Sequence, residues 1–163
     1  MRRLVILTSL VAVVVLALFT YGAASAGTAS VTIGGTEQFT PNALVNSTFH
    51  FTPGPITVHS GDTVTFTNTV SDPHTVSVVN QSDLPTSISQ VFECSVCNAI
   101  LGSGGVTGNG VHDQLAAPGD SVWINPAGAP NSTISVKITA PSGSTLRYMC
   151  AIHGWMQGTI YVK

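Results

Sequence analysis

The sequence predicts an all-β sandwich interrupted by one long irregular insertion. Three observations carry this. Apolar and polar residues alternate with period two in several short runs. Those runs are bounded by clusters of Gly, Pro, Asp and Asn. No stretch after residue 26 shows a convincing amphipathic helical period, which leaves sheet packed on sheet as the way to bury the apolar faces.

The first segment is read as a targeting signal rather than as fold. Arg2 and Arg3 form a basic start, Leu4 to Phe19 is an uncharged run, and Ala24-Ser25-Ala26 is a small-residue cleavage signal. Residues 1–26 are therefore expected to be a signal peptide, with Gly27 as the new N-terminus. An uncleaved anchor is the competing reading and would attach the chain to a membrane. The apolar run is short against the ~20 residues a membrane span needs.

Residues 27–48 are polar, with one candidate strand at Val31-Thr32-Ile33. They are expected to add an edge strand or to trail, with the domain proper at 49–163. Within it Ile56-Thr57-Val58 alternates and Ser60-Gly61-Asp62 turns. Val64 and Phe66 share a face, as do Val76 and Val78, and Ile134, Val136 and Ile138. Leu146, Tyr148 and Cys150 share another, and Ile160 and Val162 close the chain. Residues 81–118 form the insertion, rich in glycine. Segments flanking Cys94 and Cys97 are expected to make a short helix or hairpin, and a connection this long is usually functional or mobile.

Charge excludes one class of partner. The exported part keeps only Lys137, Arg147 and Lys163 against seven carboxylates, so it has no basic patch for nucleic acid. Export would place the chain outside the cytoplasm, where thiols tend to pair. The chain has three cysteines, an odd number, so one must be unpaired or do something else.

A role for the odd one is suggested by Cys150-x2-His153-x2-Met156 on a short loop near the C-terminus. A soft thiolate, an imidazole and a thioether suit a copper ion that cycles between Cu(I) and Cu(II). A fourth ligand must come from another segment. His74 is the candidate, at the start of a strand and stiffened by Pro73. A thiolate at Cys150 would leave Cys94 and Cys97 to each other. Their Cys-x2-Cys spacing fits a local disulfide, a redox-active pair, or half of a second metal site completed by His112 or Asp113.

In this register the sequence resembles the cupredoxin, or blue copper, family, of the plastocyanin and amicyanin type. The resemblance covers most of residues 49–163. It rests on Gly61-Asp62-Thr63-Val64-x-Phe66-x-Asn68, on Asp72-Pro73-His74, and on Tyr148-x-Cys150-x2-His153-x2-Met156-x-Gly158-x-Ile160-x-Val162. It implies a Greek-key sandwich and one copper ion, with His74, Cys150 and His153 equatorial and Met156 axial. It also implies a monomer that shuttles electrons between a redox protein donor and acceptor, and is not an enzyme. The alternative is a copper-binding or delivery protein without electron transfer. Ile152 and Trp155, beside His153, are expected to dock a partner, since the family's loop histidine passes the electron through an apolar patch. The chain has no His-x-His pair, which the related multicopper oxidases would require. One departure concerns Thr75 and Ala151, where relatives commonly have Asn and Ser or Thr tying the two ligand segments together. Ala151 offers no side-chain hydrogen bond to that tie.

Overall fold

A computed structural model describes residues 26–106 and 113–163. The expected signal peptide, residues 1–26, lies outside the described residues apart from Ala26, and so does His112. The strands are β1 (Thr28–Gly34), β2 (Glu37–Thr40), β3 (Leu44–Ser47), β4 (His50–Thr52), β5 (Pro55–Val58), β6 (Thr63–Asn68) and β7 (His74–Val79). The insertion holds a 3-10 turn (Gln81–Asp83) and the helices α1 (Ile88–Phe92) and α2 (Ser95–Gly102). Then come β8 (Gln114–Leu115), β9 (Ser121–Ile124), β10 (Thr133–Ile138), β11 (Thr145–Met149) and β12 (Gln157–Val162).

Two five-stranded sheets form, in the orders β4-β1-β6-β10-β8 and β5-β12-β11-β7-β9. From β5 onward the chain passes from one sheet to the other between most consecutive strands, which makes the fold an all-β Greek-key sandwich. The alternation seen in sequence becomes the core. Val31, Ile33, Val64, Phe66, Val136 and Ile138 meet Ile56, Val76, Leu146, Tyr148 and Ile160. Burial of this apolar surface is the main force joining the sheets.

Residues 27–48 depart from the expectation of an edge strand or a trailing extension. β1 lies inside its sheet, antiparallel to β4 and parallel to β6. Thr28, Ser30 and Thr32 face outward while Val31 and Ile33 are fully buried, so two apolar side chains suffice to seat the strand. Strand β7 also differs from a half-buried strand, for all six of its residues are buried. Val76 and Val78 face the sandwich core, and Val79 packs with Cys94, Cys97, Ile100, Met149 and Ala151 in a second cluster beneath the insertion.

The insertion folds into two helices rather than a hairpin. Ser87 caps α1 by accepting the Gln90 N–H, and the Cys94 sulfur accepts the Cys97 N–H at the start of α2. Gly104 and Gly105, both at positive φ, end α2, where most other residues would be strained. Among the described residues no helix is long and apolar enough to cross a membrane.

Candidate metal centre

Two segments converge at one end of the sandwich. The first is the turn that leads into β7. Asn68, buried at the end of β6, donates to the carbonyls of Asp72 (2.7 Å) and Asn125 (2.9 Å) and accepts the Val70 N–H (3.0 Å). These bonds hold the Ser71–Pro73 turn against the β9–β10 connection, and His74 follows as the first residue of β7. The second segment is the loop between β11 and β12. Cys150 N–H donates to Met156 O at 3.0 Å and Met156 N–H to His153 O at 2.8 Å. The loop therefore closes on itself and buries Cys150, His153 and Met156.

His74, Cys150 and His153 are brought together. Cys150 Sγ lies 3.6 Å from His74 Nδ1 and 3.7 Å from His153 Nδ1, and the two nitrogens are 3.2 Å apart. The point equidistant from these three atoms lies about 2.0 Å from each, close to the length of a transition-metal bond to nitrogen or sulfur. The two imidazoles and the thiol thus surround a space of the right size for one metal ion. Met156 is 1% exposed and belongs to the same buried cluster as Cys150, with Ile152 packed against that cluster. Among the described residues this is the one grouping of three metal-ligating side chains.

At the two imidazoles the electrostatics favour a metal over protons. Burial lowers the His74 pKa to about 4, with the neighbouring His153 adding to the fall and Asp72 opposing it. Burial also lowers His153, again opposed by Asp72. Both rings are therefore neutral near pH 7, with nitrogen lone pairs free to bind. Burial pushes the Cys150 thiol up, against the lowering effect of the Thr75 N–H, so a metal that took its sulfur as thiolate would have to displace a proton.

Three neighbours of the site were not singled out by sequence reasoning. Phe49 sets its ring edge-on to both imidazoles, with centroids 5.3 Å from His74 and 5.1 Å from His153. Gln157 donates to Pro85 O (2.7 Å) and Gly154 O (3.2 Å), binding the ligand loop to the insertion. Gly154 itself fits under Pro85, Val91 and the Cys97 sulfur, where a Cβ would already be in contact with all three. Thr75 supplies the tie that Ala151 could not make through a side chain. Its N–H points to Cys150 Sγ at 3.4 Å, and its hydroxyl accepts the Ala151 backbone N–H at 2.8 Å.

The Thr75 hydroxyl begins a directed chain. Ser121 donates to Gly105 O at 2.9 Å, so it must accept from Ser77 (2.7 Å), which in turn must accept from Thr75 (2.8 Å). All three hydroxyls are buried. Thr75→Val would leave the Ala151 N–H and the Ser77 oxygen each short of a partner. A loss of about 2–3 kcal/mol is expected in denaturant unfolding of the copper-free protein. Thr75→Ser should recover most of it; a Val variant as stable as the parent would show that the chain is energetically idle.

The remaining candidates separate in space. Cys94 and Cys97 are joined by a disulfide and sit beneath the insertion with Met149 and Ala151. Trp155 is 41% exposed, and its ring meets that of His153 at 5.2 Å.

Comparison with known proteins decides the family. The model of copper-binding proteins of the plastocyanin/azurin family matches residues 39–163. The chain belongs to the plastocyanin/azurin family of copper-binding proteins. It is a cupredoxin, and its cofactor is a single copper ion. Solved structures similar to it include reduced auracyanin from Roseiflexus castenholzii, at 18% identity, TM-score 0.49, and 85% and 98% coverage of this chain and that one. Auracyanin A from Chloroflexus aurantiacus gives 22%, 0.48, and 84% and 100%. Amicyanin from Paracoccus versutus gives 13%, 0.43, and 88% and 86%. A search of curated proteins finds no match.

Proposed function

We propose that this cupredoxin is an exported type 1 copper protein that carries single electrons between two redox proteins. The observation that carries the reading is the buried His74–Cys150–His153 triangle with its metal-sized centre. His74, Cys150 and His153 would hold the copper ion, and Met156 would be its weaker fourth ligand. Copper bound there supplies a one-electron couple between Cu(I) and Cu(II). The chain's contribution is rigidity and dryness. Asn68 fixes the turn before His74, Thr75 joins the two ligand segments, Phe49 seals the imidazoles, and Gln157 clips the loop to the insertion. A site held this firmly changes little between oxidation states.

Trp155 and Ile152 would form the contact surface for a partner, because Trp155 is both exposed and in ring contact with His153. The reading is of a carrier and not of an enzyme, the general role of cupredoxins. Delivery of copper to another protein is the less favoured reading. Handing over a metal requires ligands that a partner can replace one by one, whereas Cys150 and His74 are fully buried and braced from both segments.

The deciding experiment is copper loading followed by optical and paramagnetic-resonance spectroscopy and voltammetry. Strong visible absorption and a reversible one-electron wave are expected. A copper-saturated but colourless protein would overturn the ligand assignment. A coloured protein that exchanges no electron at the electrode would overturn the carrier reading.

A further inference from the structure

The end of the sandwich away from Cys150 holds a carboxylate with a specific occupant. Asp62 is 8% exposed. Its Oδ2 accepts the His59 N–H at 2.7 Å and lies 3.5 Å from His59 Nδ1. Its Oδ1 accepts the N–H of Gly27 at 2.6 Å. The next atoms along that residue are also engaged, for Gly27 O accepts the Thr63 N–H at 3.0 Å. Strand β1 begins at Thr28, and its first pair is Thr28 with Thr63 of β6. The nitrogen of Gly27 is thus the last backbone donor before an interior strand. The position is also tight, since a Cβ on Gly27 would stand 3.0 Å from Asp62 Oδ2 and 3.2 Å from Oδ1 and the carboxylate would have to give by a few tenths of an ångström.

The sequence independently marks the same nitrogen. The small-residue cleavage signal Ala24-Ser25-Ala26 ends at the bond that joins Ala26 to Gly27. Ala26 is exposed and makes none of these contacts. We propose that Asp62 is the receptor for the α-ammonium group of a mature N-terminus at Gly27. Hydrolysis of the Ala26–Gly27 bond adds one water. Ala26 leaves as a carboxylate, and the Gly27 nitrogen, formerly an amide, becomes a protonated amine still 2.6 Å from Asp62 Oδ1. A neutral hydrogen bond becomes a charge-assisted one, roughly twice as strong. Removal of the leader therefore locks β1 into its sheet, and only this bond, cut here, puts the charge in place.

Two other basic groups share this end, and the one in reach of the carboxylate, His59 Nδ1, stands 3.5 Å from Oδ2, which leaves Oδ1 to Gly27. Lys137 lines the same recess beside Gly27 and Asp62, and His59 already spends its backbone N–H on the carboxylate. The His59 and Gly27 N–H groups hold the Asp62 carboxyl below its ordinary range, so it is ionised at neutral pH.

The test has two arms. The protein is first recovered from an exporting host and its intact mass measured; a chain starting at Gly27 is expected, and any other start overturns the proposal. Copper-loaded protein starting at Gly27 is then compared with protein that retains Ala24-Ser25-Ala26, each with Asp62 and with Asp62→Asn. The Gly27 form should melt about 3 °C higher than the extended form, and Asp62→Asn should erase that gap. Equal melting of the two Asp62 forms, or a gap that survives Asp62→Asn, would refute the ion pair. Both arms are independent of the electron-carrier reading, because the visible spectrum should be the same in all four proteins.

Discussion

Cys150→Ser is expected to yield a folded protein that has lost its colour. In the proposed site Cys150 is the one anionic ligand, and an intense visible band needs a thiolate bonded to Cu(II). Serine cannot replace it, since its hydroxyl is not ionised near pH 7 and its oxygen is a hard donor where Cu(I) prefers sulfur. Changes to groups that merely support a ligand typically cost 10- to 100-fold in metal affinity, so loss of the ligand itself should weaken copper binding by roughly a hundredfold or more. The fold should survive. Cys150 is fully buried, but the Thr75 N–H that now points at sulfur can donate to the serine oxygen, which limits the penalty to about 1–2 kcal/mol. Circular dichroism and thermal melting of the copper-free variant check the fold, and titration with copper under optical observation checks the site. Retention of the strong band would place the thiolate elsewhere. With Cys94 and Cys97 joined in a disulfide, the protein has no other free sulfhydryl to offer.

Much of this architecture was legible in the chain, and the limits of legibility have physical causes. Strands such as β6 and β10 alternate because one face meets the core and the other meets water, so their sequences record their surroundings directly. Strand β1 is less readable because Val31 and Ile33 are its only large apolar residues, set among threonine, serine and alanine. The hairpin β2–β3 is invisible by the same logic: it is exposed along nearly its whole length, with Phe39 and Val45 paired across it in solvent, so no buried face imprints a pattern. The burial of β7 on both faces depends on the insertion folding back over it, a contact between segments far apart in sequence.

The same division runs through the metal centre. His74, Cys150, His153 and Met156 could be proposed from residue type and spacing, because metal chemistry restricts which side chains serve. Phe49, Thr75 and Gln157 act through ordinary packing and hydrogen bonds, for which many residue types would serve, and their roles arise only when loops meet. Thr75 is instructive. The change from Ser or Thr to Ala at position 151 reads as a lost tie, yet the backbone N–H of Ala151 reaches the Thr75 hydroxyl and makes the tie from the opposite direction. A side-chain inventory misses this because backbone donors carry no sequence signature.

Gly158→Ala should be strongly destabilising. Gly158 stands opposite Tyr148 in the β11–β12 ladder, and the phenol ring lies close against it, so a Cβ would overlap the ring carbons and the hydroxyl. Tyr148 has nowhere to go. It is fully buried, its ring meets Phe51 at 4.9 Å and Phe66 at 5.9 Å, and its hydroxyl donates to Gly54 O at 3.4 Å. Overpacking a tight core usually costs 1–3 kcal/mol, and a rigid aromatic wedge held on three sides belongs at the upper end, about 3 kcal/mol. Melting should fall by roughly 10 °C. The strain should also reach the metal centre, because Tyr148 lies two residues before Cys150 on the strand that delivers the thiolate; a shifted visible band in the copper-loaded variant is the expected sign. A double-mutant cycle isolates the cause. In a Tyr148→Leu background the ring is gone, and Gly158→Ala should cost at least about 2 kcal/mol less than in the parent. Equal costs in both backgrounds would overturn the assignment of the cost to the ring.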